Sequence, residues 1–208
     1  MPVIVVFGDS NSWGCEPFTG KRFPPGVRWP TVMQRELGPE YQLIEEALNG
    51  RTTVWDDPIE PHRCGIAYLT PCLLSHAPLD LVVIALGCND LKKRFSLSPS
   101  DIAQGAERLV IEAKSLAVGP EGRAPKVLLI APPPLAKLTA FVEMFEGATE
   151  KAALLGARYA VVAERQGVPL VESGKHIKCS DRDGIHFEAD QHAILGRVVA
   201  EAVKEALG

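Results

Sequence analysis

The sequence carries no excess of positive charge. Twenty-two Lys and Arg stand against 26 Asp and Glu, a formal net charge of −4. A chain without a basic field has little to hold phosphates with, which argues against nucleic acid as a partner. Long apolar runs are missing too, and none approaches the length needed to span a bilayer, so no membrane partner is expected. There is no CxxC pair. The five cysteines, Cys15, Cys64, Cys72, Cys88 and Cys179, are odd in number and scattered, which speaks for reduced thiols in a cytoplasmic protein rather than a disulfide framework. The apolar start Pro2–Phe7 runs directly into Gly8-Asp9-Ser10, too short for a secretory leader and better read as a first strand. Internal repeats, low-complexity tracts and linkers are also lacking, so residues 1–208 read as a single domain. A composition of 46% hydrophobic and 23% charged residues is that of a globular chain able to bury a core.

What is present is a regular alternation. Five apolar stretches read as buried parallel strands: Val3–Phe7, Gln42–Glu46, Leu81–Leu86, Val127–Ala131 and Val168–Val171. Helical patterns lie between them at Pro30–Leu37, Ala67–His76, Ser100–Leu116, Glu143–Gln166 and Ala189–Leu207; Ser98-Pro99 supplies a start signal for the third. Strand and helix repeated five times predict an α/β fold, a three-layer α/β/α sandwich around a five-stranded parallel sheet of flavodoxin-like order 2-1-3-4-5. Three Pro/Gly-rich loops, Pro17–Gly26, Asp56–Gly65 and Pro132–Lys137, follow strand ends, where loops of that length tend to be functional.

Sites in open α/β sheets form beyond the carboxyl ends of the strands. Gly8-Asp9-Ser10-Asn11-Ser12 follows the first strand, Asn49-Gly50-Arg51-Thr52 the second, Gly87-Cys88-Asn89-Asp90 the third, and Asp183-Gly184-Ile185-His186 the fifth. Each meets a need of acyl transfer. A serine hydroxyl becomes a nucleophile when an imidazole takes its proton, and the imidazole needs a carboxylate to fix its tautomer. Asp183 and His186 are spaced for one loop turn to bring them together. In the 2-1-3-4-5 order, Gly50 and Asn89 flank Ser10, so the Gly50 N–H, the Asn89 amide and the Ser10 N–H are candidate donors to an oxyanion. Taken singly these motifs are weak: Asp9-Ser10-Asn11 or Asn89-Asp90 also suits a helix cap. Their occurrence together, in order and at strand ends, favours catalysis.

Gly8-Asp9-Ser10, Gly50, Gly87-x-Asn89-Asp90 and Asp183-x-x-His186 resemble the four blocks of the SGNH (GDSL-like) hydrolase superfamily, over nearly the whole chain. The segment Glu45–Thr53 with Asp56-Asp57-Pro58 further resembles the arylesterase/acyltransferase subgroup. Asn11 stands where the superfamily's leucine follows GDS. The resemblance implies a serine esterase acting on small carboxylic esters through an acyl-serine intermediate, with acyl transfer to alcohols as a further capacity. Carbohydrate deacetylation or thioester hydrolysis uses the same machinery. It implies Ser10, Asp183 and His186 as the triad, and Ser10, Gly50 and Asn89 as the oxyanion hole. No cofactor or metal enters. A flavodoxin-like binding module with decayed motifs is the alternative outside catalysis, and a complete motif set argues against it. No GxSxG elbow is present, which disfavours a lipase-type α/β-hydrolase.

Among the remaining residues, Asp90 and Arg51 are placed to orient the oxyanion loops, and Asp9 and Asn11 flank the nucleophile. Trp13, Phe23, Trp29, Trp55 and Phe187 lie near the motif edge, with Trp13 and Phe187 as candidates to line a substrate pocket. His62, Cys64, Cys72 and His76 match no usual zinc spacing. Cys88 reads as a packing residue, His192 as a surface or capping residue, and His176 lacks a preceding Asp partner. Aromatics are only 6% of the chain. One copy therefore has little with which to wall an apolar channel, and a homo-oligomer is expected, with Phe18, Phe23, Leu135 and Phe141 packing between subunits.

Overall fold

The computed structural model describes residues 1–208. Five parallel strands, β1 (Val3–Gly8), β2 (Gln42–Ala47), β3 (Leu81–Ala85), β4 (Lys126–Ala131) and β5 (Leu170–Glu172), form one sheet in the order β2-β1-β3-β4-β5. The expected order is therefore the observed one. Register is continuous across the site edge: Gly8 of β1 pairs with Ala47 of β2 on one side and with Ala85 of β3 on the other. Whatever follows these three strands must emerge side by side.

Six helices complete the fold: α1 (Ser10–Trp13), α2 (Trp29–Leu37), α3 (Gly65–His76), α4 (Pro99–Ser115), α5 (Ala148–Gln166) and α6 (Ala189–Leu207). Helix α2 packs on α6 in one layer, and α3, α4 and α5 pack in succession in the other. The central strands are buried on both faces because their side chains are apolar throughout; Ile4 to Phe7 and Leu81 to Ile84 are inaccessible to solvent. Helix α4 begins where Ser98 forms a capping box: its hydroxyl accepts from the Asp101 N–H at 3.2 Å while Asp101 accepts from the Ser98 N–H at 2.9 Å. A cap of this kind stabilises a helix by about 0.5–2 kcal/mol.

Three elements depart from expectation. Strand β2 is the sheet edge and is half-buried rather than buried, as its glutamates Glu45 and Glu46 require. Strand β5 starts at Leu170, because Pro169 has no N–H to give the ladder. Helix α5 starts at Ala148, after Gly147 in a left-handed conformation (φ 71°), not at Glu143. No helix is long and apolar enough to cross a membrane.

Candidate active site

Strand β1 ends at Gly8, and Asp9 turns the chain into α1 by accepting the Asn11 N–H at 3.0 Å. The turn closes at Gly14, so Ser10 sits at the start of one tight turn directly above the sheet. Asp9 is thus a helix cap, and the same cap fixes the serine.

The segment after β5 brings the carboxylate and imidazole to it. Asp183, fully buried, accepts the Ile185 and His186 N–H groups through Oδ1 at 2.9 Å each, which folds the segment into a turn. Its Oδ2 accepts the Phe18 N–H at 3.0 Å and lies 2.7 Å from His186 Nδ1. His186 Nε2 is 3.1 Å from Ser10 Oγ. With Nδ1–H directed at the carboxylate, Nε2 is the free acceptor that faces the hydroxyl. Burial pushes Asp183 up, but the hydrogen bonds from His186 and Ile185 outweigh it and hold the carboxyl well below the usual range. Burial lowers His186, yet Asp183 and the neighbouring Cys15 thiol overcome that and raise the imidazole to about 9.

The two loops flanking Ser10 are fastened to each other. Gly50 has φ 80°, a conformation open to glycine, and its N–H makes no hydrogen bond within the protein. Asn89 Nδ2 donates to the Arg51 carbonyl at 3.2 Å and lies 3.5 Å from Asp9 Oδ2. Asp90 accepts the Thr53 N–H at 3.0 and 3.1 Å and the Thr53 hydroxyl. Arg51 spans back to the nucleophile strand, donating to the Gly8 carbonyl at 3.1 Å, and its guanidinium lies 4.2 Å from the centre of the Phe7 ring. Burial raises both Asp9 and Asp90 to about 6. Asp90 thus joins the loop after β3 to the loop after β2, and Arg51 ties the latter to the end of β1.

A cavity of about 250 Å³ opens over Ser10 and His186. Its lining is apolar at Phe141, Met144, Phe145 and Ile185 and polar at Asn49, Glu60 and Lys92. These side chains were not legible as site residues, although the loop Asp56–Gly65 that carries Glu60 was singled out. Within that loop Asp57 is bound by Lys92 at 3.3 Å and Arg94 at 2.9 Å, and Lys92 also pairs with Glu60. Burial raises the Asp57 carboxyl, but the Ile59 and Glu60 N–H groups and Lys92 prevail and bring it to about 2.

Several expectations need correction. Phe187 is buried and lines a separate water-sized cavity of about 30 Å³ beside Asp9, Asn11 and Trp29, not the cavity over Ser10. Trp13 does not line the cavity over Ser10 either; it stacks under Arg22, whose guanidinium is 5.0 Å from the ring. Asn11 donates to the Ile185 carbonyl at 3.3 Å and so ties the nucleophile turn to the His186 segment. His192 is not at the surface: it is fully buried, accepts the Trp29 N–H at 3.3 Å, and lies 5.5 Å from each of the Phe23 and Phe187 rings. The packing of α6 on α2 puts it there, and burial lowers its pKa to about 3. Leu135 is buried in the core rather than free for another subunit. Cys88 is buried as expected, and His176 is exposed and apart from the site. His62 and Cys64 do not join Cys72 and His76; His76 instead pairs with Glu46 at 2.7 Å.

Comparison with protein families matches residues 6–194 to the GDSL-like lipase/acylhydrolase family. Comparison with curated proteins gives no match. Among solved structures, the chain is similar to an inhibitor-bound aryl esterase of M. smegmatis, with 41% identity, a TM-score of 0.95, and 99% and 100% of the two chains covered. It is similar to Est24, a carbohydrate acetylesterase from Sinorhizobium meliloti, with 39% identity, a TM-score of 0.95 and 99% of each chain covered. A further carbohydrate acetylesterase family member from Sinorhizobium meliloti shares 33% identity with a TM-score of 0.94, over 100% of both chains.

Proposed function

The chain belongs to the GDSL-like lipase/acylhydrolase family and is a serine ester hydrolase, and from that premise we propose that Ser10 is its nucleophile, His186 its general base and Asp183 the group that orients His186. The observation that carries this reading is the unbroken path from Asp183 Oδ2 through His186 at 2.7 Å to Ser10 Oγ at 3.1 Å. Ser10 Oγ attacks the ester carbonyl as its proton passes to His186 Nε2, and the imidazolium is stabilised by the Asp183 carboxylate. The carbonyl oxygen takes the negative charge and receives hydrogen bonds from the Ser10 and Gly50 N–H groups and from Asn89 Nδ2. His186 then gives the proton to the departing alkoxide, leaving an acyl-serine. Water, activated by the same imidazole, hydrolyses it and restores the hydroxyl.

Small carboxylic esters, aryl or alkyl, are the proposed substrates, since a cavity of about 250 Å³ holds a small acyl group and part of its alcohol. Acetylated carbohydrates are the second reading, supported by the likeness to carbohydrate acetylesterases and by the polar part of the cavity lining. A small alcohol entering in place of water would receive the acyl group. The exposed Phe18 and Phe141 beside the site support packing against a second copy, and five unpaired thiols support a cytoplasmic location. The test is turnover of a panel of short-chain aryl, alkyl and sugar esters, set against Ser10→Ala, which should be inactive on every one.

A further inference from the structure

Two acceptor atoms on side chains of cavity-lining residues have nothing to accept. Asn49 lines the cavity next to Gly50, and its Oδ1 is buried without a hydrogen-bond partner. Glu60 lines the same cavity. Its Oε2 is taken by Lys92, but Oε1 has no partner and lies 3.6 Å from the point where a Cβ on Gly50 would stand. Arg63 Nε, a buried donor likewise without a partner, lies 3.2 Å from that same point. Buried polar groups are nearly always paired, and a buried acceptor left empty costs free energy that a ligand's donor recovers. Glu60 Oε1 and Arg63 Nε both stand beside Gly50, while Phe141, Met144, Phe145 and Ile185 supply the apolar part of the cavity lining.

We propose that Asn49 and Glu60 are a specificity-determining pair that reads hydroxyl groups on the alcohol part of the ester. The inference rests on the esterase reading above and adds to it which substrates the site distinguishes. An acyl chain has no donors and suits the apolar part of the lining, which leaves the polar part to the alcohol. A phenol leaving group offers nothing beyond its ester oxygen. A polyhydroxylated alcohol, such as a monosaccharide, brings hydroxyls that donate to Asn49 Oδ1 and Glu60 Oε1. Sites built around such hydrogen bonds discriminate against analogues that lack the hydroxyl, because the site's own polar atoms are then unpaired. Phenol is the better leaving group intrinsically, so the signature is a change in relative preference, not an absolute one.

The experiment compares kcat/KM for a monoacetylated methyl glucoside and for phenyl acetate in the wild type, Asn49→Ala, Asn49→Asp and Glu60→Gln, each checked by thermal melting. Asn49→Ala should lower the sugar-to-aryl ratio about tenfold, the size of one good hydrogen bond. Glu60→Gln, with a weaker acceptor of the same shape, should lower it by a smaller factor. Asn49→Asp keeps an acceptor oxygen and should hold the ratio near the wild-type value even if both rates fall. A ratio unmoved in Asn49→Ala, or both esters losing activity in step, would overturn the proposal and leave Asn49 a support for Gly50. Wild-type protein that hydrolyses neither ester would overturn the esterase reading itself, and the proposal with it.

Discussion

Replacing Asn89 by alanine separates the two parts the structure gives this side chain. At rest its Nδ2 donates to the Arg51 carbonyl at 3.2 Å and lies 3.5 Å from Asp9 Oδ2. The second contact is long, so one N–H is only weakly engaged and available when an oxyanion forms. Loss of one such donor typically lowers kcat by about 10²–10³, or roughly 2.7–4 kcal/mol, because the interaction is strongest in the transition state. The substitution also leaves the Arg51 carbonyl without its partner beside a buried Asp9, a folding penalty of about 1–3 kcal/mol. In a domain of this size each 1 kcal/mol lowers Tm by about 2–4 °C, so the variant should melt several degrees early yet remain folded at 25 °C. Steady-state kinetics on 4-nitrophenyl acetate, run well below the melt, should show the fall in kcat with KM changed by less than about threefold. A folded variant with wild-type kcat and a raised KM would refute the reasoning and make Asn89 a substrate-binding group.

The value of kcat/KM should rise with pH as His186 loses its proton, through a pKa raised to about 9 rather than the ordinary 6.5. The same shift has a stability consequence: the paired imidazolium stabilises the fold fully below about 6.5 and loses that contribution as pH rises through about 9. A profile that levels off by pH 7 would mean that Asp183 and Cys15 do not raise the imidazole. Gly87→Ala should destabilise by about 1–3 kcal/mol, read by thermal denaturation, because the position has φ 119° and the new Cβ would stand 2.1 Å from the Tyr159 hydroxyl, which is held by the Leu86 carbonyl at 2.8 Å. An unchanged Tm would show that the turn before Asn89 yields easily. With a primary alcohol in the buffer, part of the acyl group should appear as a new ester, and light scattering should give a mass above one chain. Acid as the sole product from a monomer would reduce the description to plain hydrolysis.

The sheet was legible because β1, β3 and β4 are unbroken apolar runs bounded by turn residues, and the site because its motifs stand at their carboxyl ends. Helix α1 was invisible to periodicity: four residues make one turn, and the Asp9 cap that builds it looks the same as any other cap in sequence. The buried state of His192 was hidden for another reason. Its position in the first turn of α6 resembles a surface helix start, and only the packing of α6 on α2 places it inside. The cavity walls bring together residues distant in the chain, as where Met144 and Phe145 line one cavity with Ser10 and His186, and no local pattern encodes them. The burial of Lys92 follows from Asp57 drawing Lys92 and Arg94 into one loop, a pairing no local pattern in the sequence encodes.

The central claim is that Ser10 carries the acyl group, and trapping that intermediate tests it most directly. Rapid acid quenching of the protein during turnover of an aryl acetate, followed by peptide mass spectrometry, should find one acetyl group on the peptide containing Ser10. In Ser10→Ala both the acetyl group and ester turnover should be lost while the melt stays close to that of the wild type. Acetyl on another residue, such as Cys15, or steady turnover by a folded Ser10→Ala protein, would contradict the account.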